Sequence, residues 1–179
     1  MIRGFPDGFV LSVNRKTYGF NAWERRYNYP DWGFTLTYQD LKNPALGHNI
    51  GLYGHFNFYL LNRRLMVRVG QGIAYASNPY DRDTNFQNIA YGSHLLSTTM
   101  VMANYNQQNL WRGFGFQIGL SFIHYSNANI KAPNTSTNTL AINLGLNYLM
   151  DHENFPDYIP REEEEKYTEP IHYNFVFRS

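Results

Sequence analysis

Phe114, Phe116, Ile118, Leu120 and Phe122 fall on one parity of a single stretch, and Gly113, Gly115, Gln117, Gly119 and Ser121 fall on the other. Side chains that alternate with a period of two belong to a β-strand. The pattern returns along the chain. Over 48–60, Ile50, Leu52, Phe56, Phe58 and Leu60 oppose Asn49, Gly51, Tyr53, His55, Asn57 and Tyr59. Over 65–76, Leu65, Val67, Val69, Ile73 and Tyr75 oppose Met66, Arg68, Gly70, Gly72 and Ala74, and Gln71 breaks the apolar row. Leu140, Ile142, Leu144, Leu146 and Tyr148 oppose Ala141, Asn143, Gly145 and Asn147. Shorter alternating runs lie at 9–14 and 33–40, a blurrier one at 89–105, and a last one at 171–177. About eight antiparallel strands are predicted. The long connection 15–32 holds one helical turn at Ala22–Arg26. Tight turns are expected at Asn62–Arg64 and Asn106–Asn109, and loops at 41–47, 77–88 and 128–138.

The question is which face points inward. A soluble sandwich or lipocalin-like barrel turns its apolar face in and puts Lys and Glu outside. Here the face opposite the apolar one carries Gly, Asn, Gln, Ser, Thr and Tyr, and only 16% of the chain is charged, against a usual ~25%. Such a face fills a narrow polar lumen, leaving Phe and Leu to meet lipid. Tyr75, Tyr105, Trp111 and Tyr148 fall near strand ends, where an interfacial girdle belongs. The expectation is an all-β fold, an antiparallel transmembrane β-barrel of about eight or more strands, with residues 1–179 as one domain. No apolar run approaches the ~18 residues a membrane helix needs.

Other classes have little support. The net charge of +1 gives no footprint for nucleic acid. Without cysteine there is neither a disulfide framework nor a thiolate metal site. His48, His55, His94, His152 and His172 lack metal-ligand spacing and read as lumen or loop residues. Glu162–Glu165 reads as a solvated run rather than a Ca²⁺ site, Arg68 as a lumen residue, and the glycines form no phosphate-binding loop. No metal or cofactor is expected. Met1–Pro6 lacks the apolar core of a signal peptide. With short turns periplasmic and long loops outside, strand 112–127 runs outward and both chain ends fall outside. That arrangement suggests a fragment lacking strands at each end.

The strand at 112–127 ends on His124-Tyr125-Ser126-Asn127. His124 and Ser126 continue its apolar parity, about 7 Å apart at ~3.3 Å rise per residue. Where the strand bends, a histidine so placed can act as general base on the serine hydroxyl, which can attack an ester carbonyl. Asn127 offers its amide or backbone N–H to the developing oxyanion. Asn138 shares the parity of Leu140 and Ile142 and is placed to orient the imidazole across the hairpin.

The run His124-Tyr125-Ser126-Asn127-Ala128, then Lys131 and Pro133-Asn134, then a strand starting near 139, resembles the outer-membrane lipid A 3-O-deacylases. The resemblance implies a barrel in the outer membrane of a Gram-negative bacterium, with a serine-esterase site on its outer wall. It implies His124 as base, Ser126 as nucleophile and Asn127 in the oxyanion hole, hydrolysing the 3-position acyl ester of lipid A without metal or cofactor. The partners implied are lipid A or lipopolysaccharide of the outer leaflet and membrane lipid. Family members carry a glutamate where this chain has Asn138. Lys131 is a candidate for a lipid A phosphate, and otherwise a solvated loop charge. Two rivals stand beside this expectation: an inactive barrel of the same fold with a structural or transport role, and a soluble β-barrel binding a hydrophobic ligand. The oligomeric state is left open.

Overall fold

The computed structural model describes residues 4–150, 152–161 and 173. Seven antiparallel strands form one sheet in strict sequence order. They are β1 (Asp7–Arg15), β2 (Asp31–Asp40), β3 (His48–Leu60), β4 (Leu65–Ala76), β5 (Leu95–Trp111), β6 (Phe114–Ser126) and β7 (Thr137–Tyr148). One short helix, α1 (Ala22–Arg26), lies in the β1–β2 connection where a helical turn is expected. Every strand pairs with its neighbour in chain order, as the hairpin-length turns dictate. The eighth strand expected at 171–177 and the acidic run Glu162–Glu165 lie outside the described residues, Tyr173 excepted.

Polar contacts across the inner face show that the sheet curls. Arg68 on β4 donates from Nη1 to Ser12 Oγ at 2.6 Å and from Nη2 to Asn14 Oδ1 at 3.1 Å, both on β1. In a flat sheet those strands are three spacings apart, about 14 Å, beyond the reach of an arginine. Arg68 also donates from Nε to Asn57 Oδ1 at 2.7 Å. Further along, Asn143 on β7 donates to Asn104 on β5 at 3.0 Å. The sheet is therefore part of a barrel wall, with the Asn, Thr and Tyr face turned into the lumen.

Exposure follows the predicted inversion. Tyr53 and Asn49 are fully buried, whereas Ile142, Leu144 and Leu146 are 80%, 78% and 83% exposed. A water-soluble fold does not leave such a row in solvent, since burying a side chain of this size is worth about 1.5–3 kcal/mol. The girdle residues Tyr75, Tyr105, Trp111 and Tyr148 are all exposed on the outer surface. Among the described residues no helix is long and apolar enough to cross a membrane.

Two boundaries differ from the sequence reading. Strand β5 starts at Leu95, not near 89, because the Asn88 carboxamide accepts the N–H groups of Ala90 and Tyr91 at 2.8 and 3.1 Å. That local turn takes 89–91 out of the strand. The turn expected at Asn106–Asn109 is instead a register shift between Gln107 and Trp111. The chain reverses at Arg112 and Gly113, both with positive φ (48° and 88°), the backbone that a two-residue hairpin turn requires.

Candidate active site

The β5–β6–β7 hairpins bring the candidate residues to one end of the outer face. Their loop partner is 127–136, and the wall behind them is lumen. His124 faces Thr99 on β5 and Asn138 on β7 in direct register. Its Nδ1 lies 2.7 Å from Asn138 Oδ1. An acceptor oxygen at Nδ1 places the ring proton there and leaves Nε2 with a lone pair, the tautomer a general base needs. From the lumen side, the Thr98 hydroxyl donates to the His124 carbonyl at 2.9 Å and is itself 2.8 Å from the buried Tyr53 hydroxyl. A packed polar chain thus holds the backbone under His124.

Ser126 is half-buried and stands opposite Ser97. Its hydroxyl donates to Asn134 Oδ1 at 3.2 Å, and accepts the Ala128 N–H at 3.2 Å. No described hydrogen bond joins Ser126 to His124. The same Asn134 oxygen also accepts the Asn127 backbone N–H at 3.0 Å. Asn127 turns its fully buried side chain into the loop, where Nδ2 donates to the carbonyls of Lys131 and Pro133. These contacts, with positive φ at Ala128, Asn129 and Ser136, set the loop's path. Residues of the β4–β5 connection brace it. Thr135 and Ser136 donate from backbone N–H to the carbonyls of Ile89 and Ala90 at 3.2 and 3.3 Å, and the Tyr91 hydroxyl bonds that of Thr137. At Gly92 a Cβ would lie 2.3 Å from the Lys131 carbonyl oxygen, so only glycine lets the two loops pack this closely.

His124, Ser126, Asn127 and Asn138 therefore gather at one place. Asn134, which the sequence reading gave no role, holds both the serine hydroxyl and the neighbouring N–H. Among the described residues no group of three or more His, Asp or Glu side chains is arranged to hold a metal ion. Lys131 is exposed.

The family model for lipid A 3-O-deacylase (PagL) matches residues 7–147, from the start of β1 almost to the end of β7. The chain belongs to the lipid A 3-O-deacylase family. No curated protein and no solved structure matches it. Membership in this outer-membrane hydrolase family accounts for the inverted sheet: the exposed Ile, Leu and Phe rows have the composition of a barrel's lipid-facing side. It also gives a reason for polar side chains at the end of such a face, since the substrate of this family is itself a membrane lipid.

Proposed function

We propose that the protein is a serine esterase that hydrolyses the 3-position acyl ester of lipid A in the outer leaflet of the outer membrane. The observation that carries this reading is the 2.7 Å contact of His124 Nδ1 with Asn138 Oδ1, which leaves the Nε2 lone pair to serve as a base, two residues along β6 from Ser126. The Ser126 hydroxyl turns to Nε2, gives up its proton and attacks the ester carbonyl. The carbonyl oxygen becomes an oxyanion and accepts the Asn127 N–H. Collapse of the tetrahedral intermediate breaks the bond to the sugar oxygen, which takes the proton from His124, and the acyl group remains on Ser126. Water, deprotonated by His124, then releases the fatty acid and restores the serine.

Before this sequence can start, Asn134 has to yield. A hydroxyl has one proton to donate, and that of Ser126 goes to Asn134. The same oxygen occupies the donor intended for the oxyanion. Asn134→Ala is therefore expected to raise the rate at which a fluorophosphonate labels Ser126, by roughly three- to fivefold, the worth of one ordinary hydrogen bond. Asn134→Asp, with a stronger acceptor and a negative charge beside the oxyanion, is expected to slow labelling. A loss of labelling in both variants would instead assign Asn134 a purely structural role.

The test of the function is direct. Wild-type protein refolded in detergent and mixed with lipopolysaccharide is expected to release a 3-hydroxy fatty acid, leaving lipid A lighter by one ester-linked chain in the mass spectrum. No release, or loss of an amide-linked chain, overturns the reading. The inactive barrel draws its support from the engagement of Ser126 by Asn134 in place of His124, and the same experiment decides between them.

A further inference from the structure

The outer face of β4 is apolar at Val67, Val69, Ile73 and Tyr75, and polar at Gln71 alone. Strand pairing explains where that exception falls. Gln71 is in register with Thr99, Thr99 with His124, and His124 with Asn138, while Ser97 is in register with Ser126. The polar residues of β4 and β5 thus extend the candidate catalytic row sideways across two more strands.

They are joined to one another. The Thr99 hydroxyl donates to Gln71 Oε1 at 2.6 Å, and Gln71 Nε2 donates to Ser97 Oγ at 3.2 Å. This leaves hydrogen-bonding capacity over: the second N–H of Gln71, the hydroxyl proton of Ser97, and a lone pair on Thr99. On a surface that faces hydrocarbon, unmet polar groups cost free energy. Leucine or valine would have suited the position, as at Val69 and Ile73. A polar group arriving with the substrate would meet the spare donors and acceptor.

We infer that Gln71, Ser97 and Thr99 form a binding subsite for an amide group carried by the substrate next to its scissile ester. The inference rests on the reading of His124 and Ser126 as the ester-cleaving pair. A secondary amide presents one N–H and one C=O, which match the spare lone pair of Thr99 and the spare donors of Gln71 and Ser97. Position also fits. Cross-strand neighbours stand about 5 Å apart, so Thr99 is that far from His124, and a group on the sugar carbon adjacent to the ester oxygen lies at a similar distance from the reacting carbonyl. An acylated amino sugar with vicinal N-acyl and O-acyl chains has this arrangement. The subsite would read the N-acyl amide and place the neighbouring ester over Ser126.

Two synthetic substrates test it, a glucosamine bearing a 3-O-acyl ester with a 2-N-acyl amide, and the same ester with the 2-amide replaced by a second ester. Wild type is expected to show a kcat/KM for the amide-bearing compound roughly fivefold or more above the other, as one or two hydrogen bonds allow. In the Gln71→Leu, Thr99→Val double variant that ratio is expected to collapse toward one, mainly through KM. Equal kcat/KM for the two compounds in wild type overturns the subsite whatever the variant does. So does a variant that keeps the wild-type ratio. If wild type cleaves the 3-ester of neither compound, the esterase reading falls and the subsite with it. Cleavage of both without preference removes the subsite alone.

Discussion

Ser126→Ala is expected to lower acyl release by on the order of 10⁴-fold or more, because under the proposed mechanism no other hydroxyl among the described residues takes its place as nucleophile. Ser97 stands opposite on β5, but its hydrogen-bond partner is Gln71, and it is Thr99 that is in register with His124. The substitution should leave folding intact. Ser126 makes two polar contacts, one to Asn134 and one from the Ala128 N–H, both at the loop end and outside the lumen network that fixes the sheet. Heat-modifiable migration on a gel, which reports a folded barrel, is therefore expected to be unchanged while release of fatty acid from lipopolysaccharide disappears. His124→Ala is expected to lose a similar factor, and the double variant little more than either alone, since the two act as one unit. A Ser126→Ala protein that still removes the 3-position chain at a tenth of the wild-type rate would exclude the serine mechanism.

The fold was readable because its constraint is a period. In β3, β6 and β7, and in β4 apart from Gln71, the apolar and polar parities hold over several residues, and the opposite face is too poor in charge to meet water. Each of those strands therefore declared both its existence and its outward side. The boundaries were less readable where a side chain competes with the ladder. Asn88 draws the N–H groups of Ala90 and Tyr91 to itself, and alternation in the sequence does not reveal that. Parity also located His124, Ser126 and Asn138 on one surface, since register follows from a hairpin. It had nothing to say about Asn134. That side chain reaches Ser126 and Asn127 only because the loop bends through positive φ at Ala128 and Asn129, and no repeat encodes such a path. Gln71 was legible as an interruption of an apolar row. Its meaning came from pairing, which set it beside Thr99 and thus in line with His124.

Asn138→Glu is expected to raise kcat about tenfold, and the reason lies in what asparagine already supplies. In trypsin-like enzymes, replacing the triad aspartate by asparagine costs about 10⁴ in kcat, chiefly by favouring the wrong imidazole tautomer. Here the 2.7 Å contact presents a carboxamide oxygen to Nδ1, so the tautomer is the productive one and that penalty is absent. What asparagine lacks is charge. In the proposed mechanism the imidazolium formed as Ser126 attacks would gain no Coulomb attraction from a neutral amide, whereas a carboxylate a few ångströms away in a half-exposed setting gives roughly 1–4 kcal/mol. Because Asn138 is exposed, the lower end of that range applies, and 1.4 kcal/mol is about tenfold. Asn138→Leu, which removes the acceptor, frees the ring to adopt either tautomer and is expected to fall below wild type. If glutamate leaves kcat where it is, Asn138 does not orient the base during turnover, and the contact to His124 belongs to the resting protein alone.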